Sequence, residues 1–281
     1  MYPMVSIITP SYNQGQFIED TILSVKNQDY PAIEHIIVDG ESKDNTLEIL
    51  KKYKDKYNMY YISEPDNGQA DAINKGLRIS RGTILTWLNS DDYYLNSQVI
   101  KKVVSYFKLY ESIHVITGNG YYVNKESVLL KPIVVKKKHI DLKHMRYSDL
   151  MLQPATFFKR SVLKKVSINQ NYSYIFDWLL FLNIFEKKFN VLAVDDFFSA
   201  YRIYSDNKTT QDKAVRKREI VEMAKRNFGP FSARSIYCYI IYWLYCFFET
   251  LPRPIGKYSK SLVRKINFVI SKITANRIYS D

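Results

Sequence analysis

The sequence predicts an α/β fold: a Rossmann-like, mainly parallel sheet flanked by helices, with a helical extension at the C-terminal end. Three observations point there. Short apolar runs, too short for helices, alternate with segments of 3.6-residue apolar spacing through the first ninety residues. Each run closes on a polar loop, the first three bearing Gly or Pro. The 281 residues are 46% hydrophobic and 25% charged, the balance of a folded body rather than of a disordered, collagen-like or low-complexity chain.

The elements follow in order. Val5 to Thr9 reads as a strand closed by Pro10-Ser11-Tyr12-Asn13-Gln14-Gly15, and Phe17, Ile18, Ile22 and Val25 mark a helix. Glu34 to Val38 is a second strand ending at Asp39-Gly40, followed by a helix from Thr46 to Tyr57. Met59 to Ser63, Ala70 to Ile79 and Thr83 to Leu88 read as strand, helix and strand, the last ending in Asn89-Ser90-Asp91-Asp92. Beyond Tyr93 the alternation loosens: a helix over Gln98 to Tyr110, strands near His114 to Gly118 and Tyr121 to Val123, and a basic loop at Lys136-Lys137-Lys138. A helix at Phe176 to Phe189 and a strand at Val191 to Val194 end the body, and no internal repeat is visible.

The charge is uneven. Lys plus Arg exceed Asp plus Glu by 41 to 28, a net of +13, yet residues 1–207 hold 26 basic and 23 acidic side chains and residues 208–281 hold 15 and 5. The sequence thus divides into a nearly neutral body, 1–207, and a basic tail, 208–281, which suits nucleic acid or an anionic membrane surface. The two cysteines, Cys238 and Cys246, lie eight residues apart, about 12 Å along a helix and too far for a disulfide. With no charged amino-terminal region ahead of the first strand, a cleaved secretion signal is not expected.

In an open parallel sheet, ligands bind beyond the carboxyl ends of the strands. Tyr12 at the first such end can stack on a base, Asp39 at the second can accept from a base or ribose, and the adjacent carboxylates Asp91 and Asp92 at the fourth suit a hard divalent cation. Together these describe a nucleotide diphosphate site. Singly, Asp39-Gly40 also suits a plain turn, Tyr12 plain packing, and Asp91-Asp92 a helix cap. The absence of Gly-x-x-x-x-Gly-Lys and of Gly-x-Gly-x-x-Gly after the first strand argues against P-loop ATPases and dinucleotide oxidoreductases.

Val5-Ser6-Ile7-Ile8-Thr9-Pro10-Ser11-Tyr12-Asn13, Ile36-Ile37-Val38-Asp39-Gly40-Glu41-Ser42-Lys43-Asp44-Asn45-Thr46 and Leu88-Asn89-Ser90-Asp91-Asp92, in this order and spacing, resemble the family 2 glycosyltransferases of the GT-A fold. The resemblance covers residues 4 to 205 and is most specific over the first hundred. It implies an inverting transfer from a nucleotide sugar, with UDP expected as the nucleotide and Mg or Mn as the cation, and divides the body into a nucleotide-sugar half (1–95) and an acceptor half (96–207). Carried over residue by residue, it assigns the donor to Pro10, Tyr12, Asp39, Asp71, Asn89 and Asp92 and the metal to Asp91, in a DxD-type motif whose first position is here the neutral Asn89. Lys75 and Arg78 are positioned either to neutralise diphosphate or to form a solvated helix face.

An acceptor hydroxyl needs a base as it attacks. Asp177, in Tyr174-Ile175-Phe176-Asp177-Trp178, matches the family's acidic residue at a helix start, in an aromatic setting of the kind that raises a carboxyl pKa; a plain N-cap is the alternative. Gln153, in Gln153-Pro154-Ala155-Thr156, resembles the acceptor-side segment, or is a loop amide satisfied by backbone. Asp195-Asp196 reads as structural. Related sequences often carry a histidine where Tyr204 stands.

In the tail, residues 235–248 are 14 positions without a charge, about 21 Å of helix against a hydrocarbon core of about 30 Å, too short to span. A second pattern, with Leu262, Val263, Ile266, Val269, Ile270 and Ile273 on one face, reads as an interfacial amphipathic helix, with packing on the body as its alternative. The expectation is an enzyme peripheral on the cytoplasmic membrane face, extending a lipid-linked or other oligosaccharide acceptor for a surface polysaccharide, without nucleic acid. A sugar nucleotidyltransferase, which would release pyrophosphate, and a non-catalytic nucleotide-sugar sensor are the competing readings.

Overall fold

The first strand, β1 (Val5–Ser11), is buried at every position, as a central strand covered on both faces must be. The computed structural model describes residues 2–205, 207, 208 and 213–249. Next come α1 (Ile18–Lys26), which buries Ile18, Ile22 and Val25, β2 (Ile33–Asp39), α2 (Thr46–Tyr53), β3 (Met59–Ser63), α3 (Gln69–Ile79) and β4 (Ile84–Trp87). The helix predicted to reach Tyr57 stops at Tyr53. Lys56 N–H folds back onto the Tyr53 carbonyl (3.0 Å), and Tyr57 turns inward to bond its hydroxyl to His35 Nδ1 (2.5 Å).

The second half contributes β5 (Tyr93–Tyr94), α4 (Val99–Leu109), β6 (Val115–Val123), β7 (Leu129–Ile133), α5 (Leu142–Met145), β8 (Thr156–Lys159), α6 (Arg160–Leu163), α7 (Phe176–Glu186) and β9 (Val191–Arg202). The described residues form one nine-stranded sheet in the order β3-β2-β1-β4-β8-β6-β9-β5, with β7 paired to β6. From β3 to β4 the pairing is parallel, as the alternation predicts; β8 joins antiparallel to both β4 and β6, and β6 runs parallel to β9. Ile7, Ile100, Phe157 and Phe198 sit in one buried cluster.

Two predicted boundaries change here. The strands expected at 114–118 and 121–123 are one strand, because the intervening glycines let β9 come close. A Cβ on Gly118 would lie 2.4 Å from Phe198 Cδ2, and one on Gly120 2.5 Å from the Ser199 carbonyl. The last strand continues eight residues past Val194 to Arg202, through register shifts between Thr117 and Gly120 of its partner. Asp196 accepts from Lys102 Nζ (2.6 Å) and Tyr106 OH (2.5 Å) there, and Asp195 pairs with Lys137 (2.6 Å), in agreement with a structural reading of both.

The chain divides into two units, Met1–Ser205 and a second from residue 206 on. In the second, α8 (Lys213–Phe228) and α9 (Ala233–Glu249) are separated by Gly229 at φ +84°, a conformation glycine adopts without strain. The uncharged 235–248 run lies within α9. The amphipathic pattern at 262–273 lies outside the described residues. Among the described residues no helix is long and apolar enough to cross a membrane.

Candidate active site

The loops that leave β1 and β2 are knitted together by the side chains between Asn13 and Thr46. Asn13 N–H donates to Ser42 Oγ (2.7 Å), Lys43 N–H to Asn13 Oδ1 (2.8 Å), Gln14 N–H to Thr46 Oγ1 (3.1 Å) and Gly15 N–H to Asp44 Oδ2 (2.8 Å). Asn13 and Glu41 take left-handed φ values of 51° and 64° at the two turns. Much of the Ser42-to-Thr46 motif therefore builds the rim of the crevice.

Within that rim Asp39 is fully buried at the end of β2. Its carboxylate accepts from Ser42 Oγ (2.5 Å), Ser42 N–H (3.0 Å) and Ser63 Oγ (2.7 Å). Tyr12 is the exposed member, 60% accessible, and a Cβ on the neighbouring Gly40 would lie 2.8 Å from Asp66 Oδ2, so only glycine fits there without a shift. Pro10 is buried beside Val38 in the β1–β2 ladder. Among the described residues Ser11 Oγ and Gln14 Oε1, both buried, have no hydrogen-bond partner.

At the end of β4 an amide chain runs from α3 to Gln153. Gln69 Nε2 donates to Asn89 Oδ1 (2.7 Å), and Asn89 Nδ2 donates to Asp92 Oδ2 and Gln153 Oε1 (3.2 Å each). Gln153 Nε2 in turn donates to the Trp87 carbonyl (2.7 Å). The structure thus brings Asn89, Asp92 and Gln153 together, and both ends of the Gln153 amide are engaged. Asp71, in the first turn of α3, accepts from Asn67 N–H (3.1 Å) and Gln170 Nε2 (3.0 Å).

Asp92 is 1% exposed, and Arg202 N–H donates to its Oδ1 (2.9 Å); Asp91 Oδ2 accepts from Tyr204 OH (3.1 Å). Burial pushes both carboxyls above the usual carboxylate range, and Asp92 is raised furthest because Asp91 adds its charge. Tyr204 is likewise pushed up by burial and by Asp91. The positive charge opposing this is Arg202, itself 1% exposed. Its guanidinium donates to the Asp91 carbonyl (2.9 Å), the Lys125 carbonyl (2.6 Å) and Asp20 Oδ2 (2.7 Å), and lies over the Phe17 ring at 4.6 Å. Arg202 is the residue that sequence reading missed. It sits at a strand end, and the rule that found Asp39 and Asp91 would have found it had the end of β9 been located.

The remaining predicted residues lie apart from this cluster or are placed by other contacts. Lys75 Nζ is held by Glu64 (2.8 Å) and the Pro65 carbonyl (2.8 Å). Arg78 stands on the C-terminal half of α3, about 13 Å along the axis from Gln69, and so lies away from the diphosphate position considered for it. Asp177 is half-buried in the first turn of α7, where its Oδ1 accepts from Trp178 N–H (2.8 Å) and Trp178 Nε1 anchors that turn to the Met145 carbonyl (2.6 Å).

No cluster of three or more His, Cys, Asp or Glu side chains suited to a metal occurs among the described residues. The donor set at Asp91, with Asn89 supplying only an amide oxygen, fits a hard cation held by one or two carboxylates and completed by substrate phosphate oxygens.

Comparison with known proteins bears on the family and the fold. The family model described as Glycosyl transferase family 2 matches residues 6–167, more than half of the chain. A Bacillus subtilis glycosyltransferase named for teichuronic acid biosynthesis is 40% identical over 104 residues, 36% of this chain and 41% of that protein, so the chain covers about two fifths of that relative's length. Among solved structures, Staphylococcus aureus TarS 1-349 in complex with UDP-GlcNAc superposes at a TM-score of 0.65 with 17% identity, over 92% of this chain and 87% of that one. The Pyrobaculum calidifontis mannosyltransferase PcManGT, in complex with GDP-Man and Mn2+, gives 0.63 with 15% identity, over 98% and 81%.

Proposed function

Because the chain belongs to glycosyl transferase family 2, we propose that it is an inverting glycosyltransferase that moves a sugar from a UDP-sugar to an oligosaccharide acceptor. The observation that carries this reading is the convergence of Tyr12, Asp39, Asn89, Asp91 and Asp92 at the carboxyl ends of β1, β2 and β4, where the half-buried Asp91 and the buried Asp92 are both raised above the usual carboxylate range despite the nearby Arg202. The exposed Tyr12 ring stacks on the base. Asp39 fixes the nucleoside once Ser42 or Ser63 turns its hydroxyl, and Asn89 and Asp92 line the ribose and sugar side. Asp91 would hold a Mg or Mn ion, whose charge would offset that of the diphosphate. The acceptor hydroxyl attacks the anomeric carbon as the bond to the diphosphate oxygen breaks, and its proton passes to the Asp177 carboxylate.

The TarS and PcManGT complexes carry UDP-GlcNAc, or GDP-Man with Mn2+, which supports a nucleotide-sugar donor and a divalent cation. The relative named for teichuronic acid biosynthesis supports a surface polysaccharide as product. The tail supports a lipid-linked acceptor at the inner membrane face. On α9 the side chains of Ile236, Tyr239, Ile240, Trp243 and Phe247 recur at helical spacing and are each 46–55% exposed, an apolar and aromatic stripe in a basic segment. The proposed organisation is a catalytic body over 1–207 and a membrane-seating tail over 208–281.

A screen of nucleotide sugars, reading nucleoside diphosphate release with native membrane lipids present, tests the activity. Asp177→Asn is expected to keep donor affinity and lose transfer by about 10²-fold or more. An equal loss of donor affinity would make Asp177 a binding residue, and release of pyrophosphate would make the protein a nucleotidyltransferase.

A further inference from the structure

A second concavity, about 350 Å³ in volume, opens between the C-terminal half of α3 and the segment from α6 to Ile168. That volume is within the range of small-molecule sites. Its floor is aliphatic, with Leu77, Leu163 and Ile168 among the lining side chains, and three cations, Arg78, Arg160 and Lys164, stand around it with no acidic residue in the lining. Arg160 is fixed in place: its Nε donates to the Gly82 carbonyl (2.6 Å) and its Nη2 to Ser80 Oγ (2.9 Å). Among the described residues neither the Arg78 nor the Lys164 side chain makes a hydrogen bond or ion pair.

Like charges gathered without a counter-charge repel one another, and a fold gains nothing from them unless an anion arrives. A guanidinium fork fits phosphate oxygens, with an ammonium adding a point charge. The aliphatic floor beneath would be idle against a bare inorganic ion, but it removes an alkyl chain from water. We propose that this concavity is a binding site for the phosphate ester of an aliphatic alcohol, with the phosphate held by Arg78, Arg160 and Lys164 and the chain laid on Leu77, Leu163 and Ile168.

The site lies away from the strand-end crevice but touches the same helix. Asn74 Nδ2 donates to the Ile168 carbonyl (3.0 Å), and two residues on, Gln170 donates to Asp71 at the start of α3. These two bonds tie the segment from Ile168 to Gln170 to both halves of α3.

Calorimetric titration of the full-length chain with octyl phosphate, inorganic phosphate and octyl glucoside tests the assignment. Octyl phosphate is expected to bind at least about tenfold more tightly than either other probe, since it alone satisfies both charge and floor. Arg78→Glu and Lys164→Glu are each expected to weaken it by about tenfold or more. Lys54→Glu, on an exposed turn of the same unit, should leave it within about twofold, and UDP affinity should be unchanged in all three variants. Octyl phosphate binding no tighter than inorganic phosphate, insensitivity to Arg78→Glu and Lys164→Glu, an equal loss in Lys54→Glu, or a parallel loss of UDP affinity would each overturn the proposal.

Discussion

Asp91 and Asp92 carry opposing demands in two adjacent side chains. Both are raised in pKa by burial, so each takes up charge only against the fold. In the unfolded chain an aspartate ionises near pH 4, whereas in the folded chain Asp91 keeps its proton to higher pH. Between the two values the folded state binds more protons, so stability falls as pH rises, and the full cost is present above the folded pKa. Asp91→Asn keeps an acceptor for Tyr204 and removes the charge. It should raise Tm of the ligand-free protein at pH 8 by about 2 °C or more, with a smaller gain at pH 4, while donor turnover falls by about 10²-fold. Thermal melts at the two pH values check this; a lower Tm at pH 8 would mean that the carboxylate is stabilising as it stands. Arg202 limits the cost by reaching both residues from β9, with its backbone N–H on Asp92 and its guanidinium on the Asp91 carbonyl.

At the scale of elements, α3 carries Gln69 and Asp71 to the crevice because it lies close on β1. Gly76 makes that approach possible: a Cβ there would lie 2.5 Å from Ile8 Cγ2, at the middle of a fully buried strand. Gly76→Ala gains helix propensity but overpacks this contact, and is expected to cost a net of about 1–3 kcal/mol in denaturant unfolding. A stabilised variant would show that the helix can shift outward freely. The elements from β1 to α3 were legible because each short apolar run ends in its own polar loop. The end of β9 was not, since Asp195-Asp196 interrupts the hydrophobic pattern and only the register shift against Gly118 and Gly120 carries the strand onward. β7 and β8 are short pieces whose pairing to β6 depends on distant sequence, which local pattern does not reveal. The same divide runs through the site. Tyr12, Asp39, Asn89 and Asp91 were readable as strand-end residues, whereas Arg202 and the Gln69-Asn89-Gln153 chain follow from contacts between elements far apart in sequence.

Over the whole molecule, the proposed function gives donor chemistry to the nearly neutral body and membrane seating to the basic tail. The exposed stripe on α9 should lie in the headgroup region of an anionic membrane, with about 1 kcal/mol from each basic residue near the surface. In vesicle flotation the full-length protein is expected to float with anionic vesicles and resist salt in part, because apolar burial is not screened. Trp243→Ser combined with Phe247→Ser, at exposed positions, should make attachment salt-labile; unchanged flotation would move the contact off α9. In the body, the proposed nucleotide site is formed by the ends of β1, β2 and β4, with Asp91 to hold its cation. Calorimetric titration of UDP with and without Mn2+, in the wild-type chain and in Asp91→Asn, tests it most directly. The account predicts at least about tenfold tighter UDP binding with Mn2+ in the wild type, and loss of that gain in Asp91→Asn with metal-free affinity retained. No UDP binding in the wild type, or the same Mn2+ gain in Asp91→Asn, would contradict it.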